Sequence, residues 1–242
     1  MPGTLLDTTA VHADAGTPWC RGPLAALDTE TTGLDPVRDR CVEVALVLVA
    51  PDGSEIDGGY ETLVDCGAPV PVPATRVHGL TGARLAVEGA APRACFTALV
   101  RHLEEIAAVG IPLVIFNARF DWPLLRAETA RLGLDLPGVA LLDPLVLDRH
   151  LSPSRPGRRR LGDVAAHHGI ARGRAHRARD DALAAARVTR ALLAAHPEAL
   201  AARSLEQLQT LQAGWFAHWR DARNRRWGRE GREQRISGTW PG

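Results

Sequence analysis

Residues 24–36 read LAALDTETTGLDP. An apolar run leads straight into Asp28 and Glu30, and the TTG that follows marks a turn. PLAALDTE therefore reads as a short strand. Side chains on a strand alternate between faces, so Asp28 and Glu30 emerge together on one side. Two carboxylates held that close repel, and an unrelieved pair at a strand end raises its own pKa values. A divalent cation removes that cost. Taken by themselves, the two acids would equally suit capping of the TTG turn.

The chain around this strand alternates between two periodicities. CVEVALVLVA (41–50) reads as a second strand and ETLV (61–64) belongs to a third, joined by a PDG turn at 51–53 into an antiparallel hairpin. The proline- and glycine-rich GAPVPVPATRVHGLTGA (67–83) predicts an extended surface loop. Over 91–109, Phe96, Leu99, Val100, Leu103 and Ile106 fall at helical spacing. IPLVIFN (111–117) reads as a fourth strand, DWPLLRAETARLG as a helix stopping at Gly133, and VALLDPLVL (139–147) as a fifth apolar run. RRRLGDVAAHHG and DDALAAARVTRALLAA supply two more helices. Strands alternating with helices point to a three-layer α/β domain with one antiparallel strand from the hairpin.

A last helix is signalled by SLEQ (204–207), a capping box opening LEQLQTLQAGWFAHW. Leu205, Leu208, Leu211, Trp215 and Trp219 form its apolar stripe, expected to pack on the main domain. Four of the six tryptophans (215, 219, 227, 240) lie in this segment, interleaved with arginines.

With 242 residues the chain can bury a core that needs no disulfide or metal staple. Cys20, Cys41, Cys66 and Cys95 are irregularly spaced, without a CxxC pair, and are expected to be reduced thiols. No apolar run approaches the roughly 20 residues of a membrane span, and the N-terminus shows no export pattern. The expectation is a cytoplasmic protein with no membrane partner. The net charge of +1 conceals eight arginines between Arg155 and Arg179 against one acid, Asp163. Such a block attracts phosphate backbones when it is not simply solvated.

A second acid stands in the same kind of place as the first pair. Asp121 follows the strand PLVIFN by three residues and opens a helix, and sites in α/β sheets collect at the carboxyl ends of the strands. HRARDD (176–181) then precedes the alanine-rich helix. His176 and Asp181, five apart, would lie about 140° apart on a continuous helix. To serve one site, His176 must sit in the loop and Asp181 on the first turn.

Taken in order, DTETTG, HGLT (78–81), NARFD (117–121) and HRARDDA (176–182) resemble the motifs of the DEDDh 3′–5′ exonucleases, the DnaQ-like family that includes the proofreading epsilon subunit of bacterial DNA polymerase III. The resemblance runs from about Leu24 to about Ala195. It implies a ribonuclease H-like fold: a mixed five-stranded sheet with helices on both faces. It also implies that Asp28, Glu30, Asp121 and Asp181 bind metal, that His176 is the general base, and that Thr31, Leu34, His78 and Asn117 contact the terminal nucleotide. Phe116 departs from the pattern, since many members carry histidine there. The implied organisation is an N-terminal arm (1–22), an exonuclease domain (23–197) and a helical, Trp/Arg-rich C-terminal extension (198–242).

The implied chemistry is phosphodiester hydrolysis assisted by two divalent ions about 3.5–4 Å apart, with carboxylate ligands suited to Mg²⁺ or Mn²⁺ rather than zinc. The substrate would be a single-stranded or frayed 3′ end, DNA in preference to RNA, with nucleoside 5′-monophosphates as products and a DNA polymerase as a possible partner. Other readings are an RNA-trimming exoribonuclease, a non-catalytic nucleic-acid- or polymerase-binding module, and a haloacid-dehalogenase-like phosphatase. The last rests on a loose similarity of DTET to DxDxT, in which Glu30 replaces the second aspartate.

Overall fold

The structure, a computed structural model, describes residues 18–242. The expected N-terminal arm lies outside the described residues except for its end, where Trp19–Arg21 forms a single 3₁₀ turn. Arg190 ties that turn down through the Cys20 carbonyl at 3.0 Å.

Five strands form one sheet in the order β3-β2-β1-β4-β5. They are β1 Leu24–Thr31, β2 Cys41–Val49, β3 Glu55–Leu63, β4 Leu113–Val114 and β5 Leu141–Leu142. β2 runs antiparallel to both of its neighbours, whereas β1, β4 and β5 pair in parallel. The hairpin turn closes with Ala50 N–H donating to the Ser54 carbonyl at 2.8 Å and Gly53 in a left-handed conformation at φ 85°.

Helices cover both faces, as the resemblance implies. Alternation along β1 sends Ala25 and Leu27 into one hydrophobic cluster and Leu24 and Ala26 into another. The first packs against α3, Pro92–Ala108, through Phe96, Leu99, Leu103 and Ile106. The second packs against α6, Leu161–His167, and α7, Ala178–Ala195. α7 turns Ala182, Ala185 and Ala186 to the sheet, and side chains this small let the helix approach β1 and β2 closely.

The proline-rich stretch is not an extended loop. It holds two short helices, α1 Val72–His78 and α2 Gly82–Glu88. Pro73 sits in the first turn of α1, where a missing N–H costs nothing and a fixed φ favours the helix. Gly79 ends α1 in the left-handed conformation at φ 76°, and the Thr81 side chain caps α2. Helix α4 spans Asp121–Arg131 as expected. The fifth apolar run divides: β5 stops at Leu142, Asp143 caps with its side chain, and Pro144 opens α5, Pro144–Leu151.

After a short α8, Pro197–Leu200, the last helix α9 spans Leu205–Arg229. Its capping box is formed, with Ser204 and Gln207 exchanging hydrogen bonds. The fully buried line is Leu208, Gln212 and Phe216, while Trp215 and Trp219 are half-buried. Gln212 joins α9 to the sheet: its Oε1 accepts from Asp143 N–H at 2.7 Å and its Nε2 donates to the Leu141 carbonyl at 3.0 Å. Among the described residues no helix is long and apolar enough to cross a membrane.

Gln212→Leu preserves volume but strands a buried N–H and a buried carbonyl, which cost about 1–3 kcal/mol each when unpaired. We expect a loss of roughly 2–4 kcal/mol in urea denaturation; an unchanged midpoint would show that α9 does not brace β5.

Candidate active site

The strand ends of β1 and β4, helix α1 and the N-terminus of α7 enclose a cavity of about 800 Å³. Asp28, Glu30, Asp121, His176 and Asp181 all line it, as do Thr31, Leu34, His78 and Asn117. The residues singled out in four separate motifs thus meet at one place.

Asp28 and Glu30 continue the Leu24 and Ala26 face of β1, the side on which α7 lies. Asp181 occupies the first turn of α7, and His176 the loop before it. One donor atom each from Glu30, His176 and Asp181 lie within 4.8 Å of one another, a spacing that a single cation can bridge. Asp121 reaches the group from the other side of the strand. Its Oδ1 accepts from the Thr29 hydroxyl at 2.6 Å and from Thr29 N–H at 3.2 Å.

The acids are held against their electrostatic preference. Burial pushes the Asp28 carboxyl well above its usual range, and Asp121, Asp181 and Glu30 push it further. Burial, then Asp181 and Glu43, raises Glu30 from 4.5 to about 8. Burial raises Asp121 to about 6, against the opposing pull of its bonds from Thr29. Repulsion between acids of this kind is what a bound cation relieves, so the donor set fits a hard divalent metal.

One cation of the chain already stands there. The Arg172 guanidinium grips Asp181 with two parallel bonds, 2.7 Å from Nε to Oδ1 and 2.6 Å from Nη2 to Oδ2. Its charge also pulls down both Asp28 and Glu30. Nothing in the sequence distinguished Arg172 from its seven neighbours in the arginine block. Five of those eight are committed to carboxylates: Arg155 and Arg159 to Asp148, Arg172 to Asp181, Arg177 to Glu43 and Glu61, and Arg179 to Glu55 and Glu61. Most of the block's charge therefore balances internal acids. Arg160, which lines the cavity, makes no ion pair among the described residues.

Two further residues went unrecognised. Glu43, fully buried, lies directly across from Glu30 in the β1/β2 register, a like-charge pairing that destabilises unless compensated. Arg177 supplies the compensation at 2.9 Å, and Ala178 N–H donates to Glu43 at 3.2 Å, so the same contact anchors the start of α7. Asp143 accepts from Asn117 N–H at 2.8 Å, Ala118 N–H at 3.0 Å and Trp240 Nε1 at 3.1 Å. It thereby fixes the loop between β4 and Asp121. An acid just past a strand and before a proline was the available signal for Asp143.

Among the described residues only Asn117 and His176 are non-glycine residues with left-handed backbone, at φ 66° and 60°, and both line this cavity. Such conformations collect at functional sites. His78 accepts from Leu80 N–H on Nδ1 at 3.0 Å, which leaves the proton on Nε2; that atom is buried without a hydrogen-bond partner. Leu34 is 76% exposed and Phe120 39% exposed, giving the cavity an apolar lip. Phe116, the departure from the motif, packs away into the α7-side cluster and does not line the cavity.

Residues 25–189, more than half the chain, match the family described as Exonuclease, RNase_T. This chain belongs to the exonuclease family. The DEDDh, DnaQ-like resemblance of its motifs is therefore borne out. A DNA polymerase III subunit epsilon-like protein of Rhodobacter capsulatus is 34% identical over 139 residues, 57% of this chain and 19% of that protein. The DNA polymerase III subunit epsilon of Treponema pallidum is 29% identical over 173 residues, 71% of this chain and 76% of that one. The chain spans only about a fifth of the Rhodobacter protein and about a tenth of the PolC-type polymerases it also matches. Among solved structures, exonuclease I from Methylocaldum szegediense superposes with a TM-score of 0.61 at 23% identity, over 72% of this chain and 41% of that one. E. coli exonuclease I in complex with a dA16 oligonucleotide gives 0.61 at 19%, over 73% and 42%. These likenesses establish the ribonuclease H-like exonuclease fold.

The raised carboxyl values set the pH dependence of the metal-free protein. Glu30 and Asp121 keep protons in the fold that the unfolded chain gives up, so their contribution to stability is complete below about pH 4 and is lost as pH rises through about 6 and then 8. With EDTA present, these two acids should lower Tm between about pH 5 and about pH 8.5, while His78, His102, His150 and His168, whose pKa values burial lowers, act the other way up to about pH 6.5. Asp28→Asn should raise Tm relative to wild type, by more at about pH 8.5 than at about pH 5; a gain that does not grow with pH would contradict the assigned electrostatics.

Proposed function

We propose that this chain is a metal-dependent 3′–5′ exonuclease that hydrolyses phosphodiester bonds at single-stranded or frayed 3′ ends, DNA in preference to RNA, releasing nucleoside 5′-monophosphates. The observation that carries the reading is the convergence of four mutually repelling carboxylates and a loop histidine on one cavity. The likeness to DNA polymerase III epsilon subunits and to an exonuclease I crystallised with an oligodeoxynucleotide supports DNA as substrate and a polymerase as a partner.

Asp28, Glu30, Asp121 and Asp181 would hold two Mg²⁺ or Mn²⁺ ions. When bound, the ions activate the attacking water and stabilise charge on the phosphoryl and leaving oxygens. His176 takes the proton from that water; its exposure and its loop position let it close on a bound strand end. Thr29 keeps Asp121 in a fixed orientation. His78, whose pKa burial lowers, would contact the terminal nucleotide from the cavity wall. Leu34 and Asn117 would contact the terminal nucleotide from the cavity lining, and Thr31 holds the turn through its bond to the Gly33 carbonyl at 2.6 Å. In this reading residues 23–197 are the catalytic domain and 198–242 an extension docked against it. Cation binding at Asp181 requires Arg172 to withdraw.

A 5′-labelled strand, offered as DNA and as RNA of the same sequence, tests the proposal. Wild type should give a ladder shortening from the 3′ end with Mg²⁺ or Mn²⁺ and none with EDTA, and the faster polymer names the substrate. Asp28→Ala should abolish the ladder with the fold intact, and His176→Ala should lower kcat by roughly 10²–10⁴. Full activity in Asp28→Ala would refute the assignment. For Arg172→Ala we expect a lower Tm without metal but a larger Tm gain on adding Mn²⁺, read by thermal shift. An unchanged gain would mean that Arg172 does not compete with the cation.

A further inference from the structure

A second cavity, of about 770 Å³, lies between the last turn of α5, the loop at 152–160 and the outer side of α9. It is built from the segment whose tryptophans and arginines the sequence left unexplained. Trp215, His218, Trp219, Ala222 and Arg223 line it from α9, at spacings that form one helical stripe.

The wall is cationic and carries no acid. The Arg149 guanidinium stacks 3.6 Å from the centroid of the Trp219 ring and makes no hydrogen bond or ion pair among the described residues. Burial pushes its pKa down to about 10, against the pull of Asp143 and Asp148, with Arg159 and Arg223 pushing the same way as burial. Arg223, over the Trp227 ring at 5.3 Å, is likewise unpaired among the described residues. His150, stacked on Trp215 at 3.9 Å, and His218 add two groups that repel one another when charged. The nearby acids are spent elsewhere. Asp148 is shared by Arg155 and Arg159, Asp143 binds backbone N–H groups and Trp240, and Asp221 pairs with Arg220 at 2.8 Å. Two guanidiniums with no hydrogen-bonded carboxylate partner among the described residues, set beside aromatic rings, make a phosphate site next to a stacking surface.

Its position relative to the first cavity is set by the chain. Arg159 lines this cavity and Arg160 lines the carboxylate cavity, and adjacent Cα atoms are about 3.8 Å apart. Adjoining residues of this chain segment thus reach into the two cavities, Arg159 into one and Arg160 into the other.

We propose that this second cavity binds backbone phosphates of the single strand whose 3′ end occupies the carboxylate cavity, gripping nucleotides upstream of the scissile bond. The proposal deepens the exonuclease reading and rests on it. Its consequence is that affinity depends on strand length, because a short oligonucleotide cannot reach both cavities.

The test is fluorescence anisotropy with 5′-labelled oligo-dT of 4, 8, 12 and 16 nucleotides in EDTA, for wild type, Arg223→Gln and Arg149→Gln/Arg223→Gln. Wild-type affinity should rise with length and then level off. The double variant should bind the longest strand about tenfold more weakly, with the salt slope reduced by about 1–2 and no change for the 4-mer. Arg223 is exposed, so Arg223→Gln keeps the fold and should show part of the effect. Equal affinities and equal salt slopes in all three proteins would overturn the proposal. So would displacement of the length-dependent binding by dTMP, which would mark a mononucleotide pocket. Degradation of the same oligomers with Mn²⁺ separates the two readings: a wild type that shortens them but lacks length-dependent binding loses only this site, whereas one that shortens none loses the exonuclease reading as well.

Discussion

Mutual repulsion among Asp28, Glu30, Asp121 and Asp181 is the constraint to which this end of the molecule is fitted. Strand alternation sends Asp28 and Glu30 to the α7 side of the sheet, and neither can turn away without reversing the register that buries Leu24 through Leu27. The neighbours therefore compensate where the acids cannot move. Thr29 gives Asp121 two hydrogen bonds, Arg172 gives Asp181 two more, and Arg177 neutralises the Glu43 that would otherwise face Glu30 across the ladder. What these contacts leave uncompensated shows in the raised values of Asp28, Glu30 and Asp121. The fold spends stability here to hold these acids together where a cation can relieve them.

A different carboxylate does the opposite work. Asp143 is buried and burial raises its pKa, yet it faces N–H donors rather than other acids. By holding Asn117 and Ala118 it fixes the approach to Asp121, and through Gln212 and Trp240 it is itself held by the C-terminal segment. The extension is thus coupled to the site by a chain of buried hydrogen bonds. A change in α9 can reach Asp121 through Gln212, Asp143 and Ala118, none of which lines the cavity.

Motifs carried the site and periodicity carried most of the fold. DTETTG, NARFD and HRARDDA each combine a strand end or helix start with acids, so the backbone geometry that unites them could be inferred from local pattern. The errors were also local. Pro71 and Pro73 were read as breakers where they start a helix, since a proline looks the same in a loop and in a first helical turn. The fifth apolar run hid the change from strand to helix at Asp143 because its hydrophobic residues continue through both. Arg172, Glu43 and Gln212 were illegible for a stronger reason. Each matters through a partner distant in sequence or lost among like residues, and no window of a single chain shows that Glu43 and Arg177 will meet.

Asp181 ties the second half of the site together in a way that bears on how the site opens. Its carboxylate receives the Arg172 side chain and also the His176 backbone N–H, at 3.1 Å. The loop from Arg172 to His176 is thus fastened at both ends to one acid, and His176 keeps its left-handed conformation beside that anchor. A cation that takes oxygens of Asp181 competes with both fastenings at once. The histidine that must act on the substrate and the arginine that stands in for positive charge therefore cannot respond independently, because Asp181 Oδ2 holds them both.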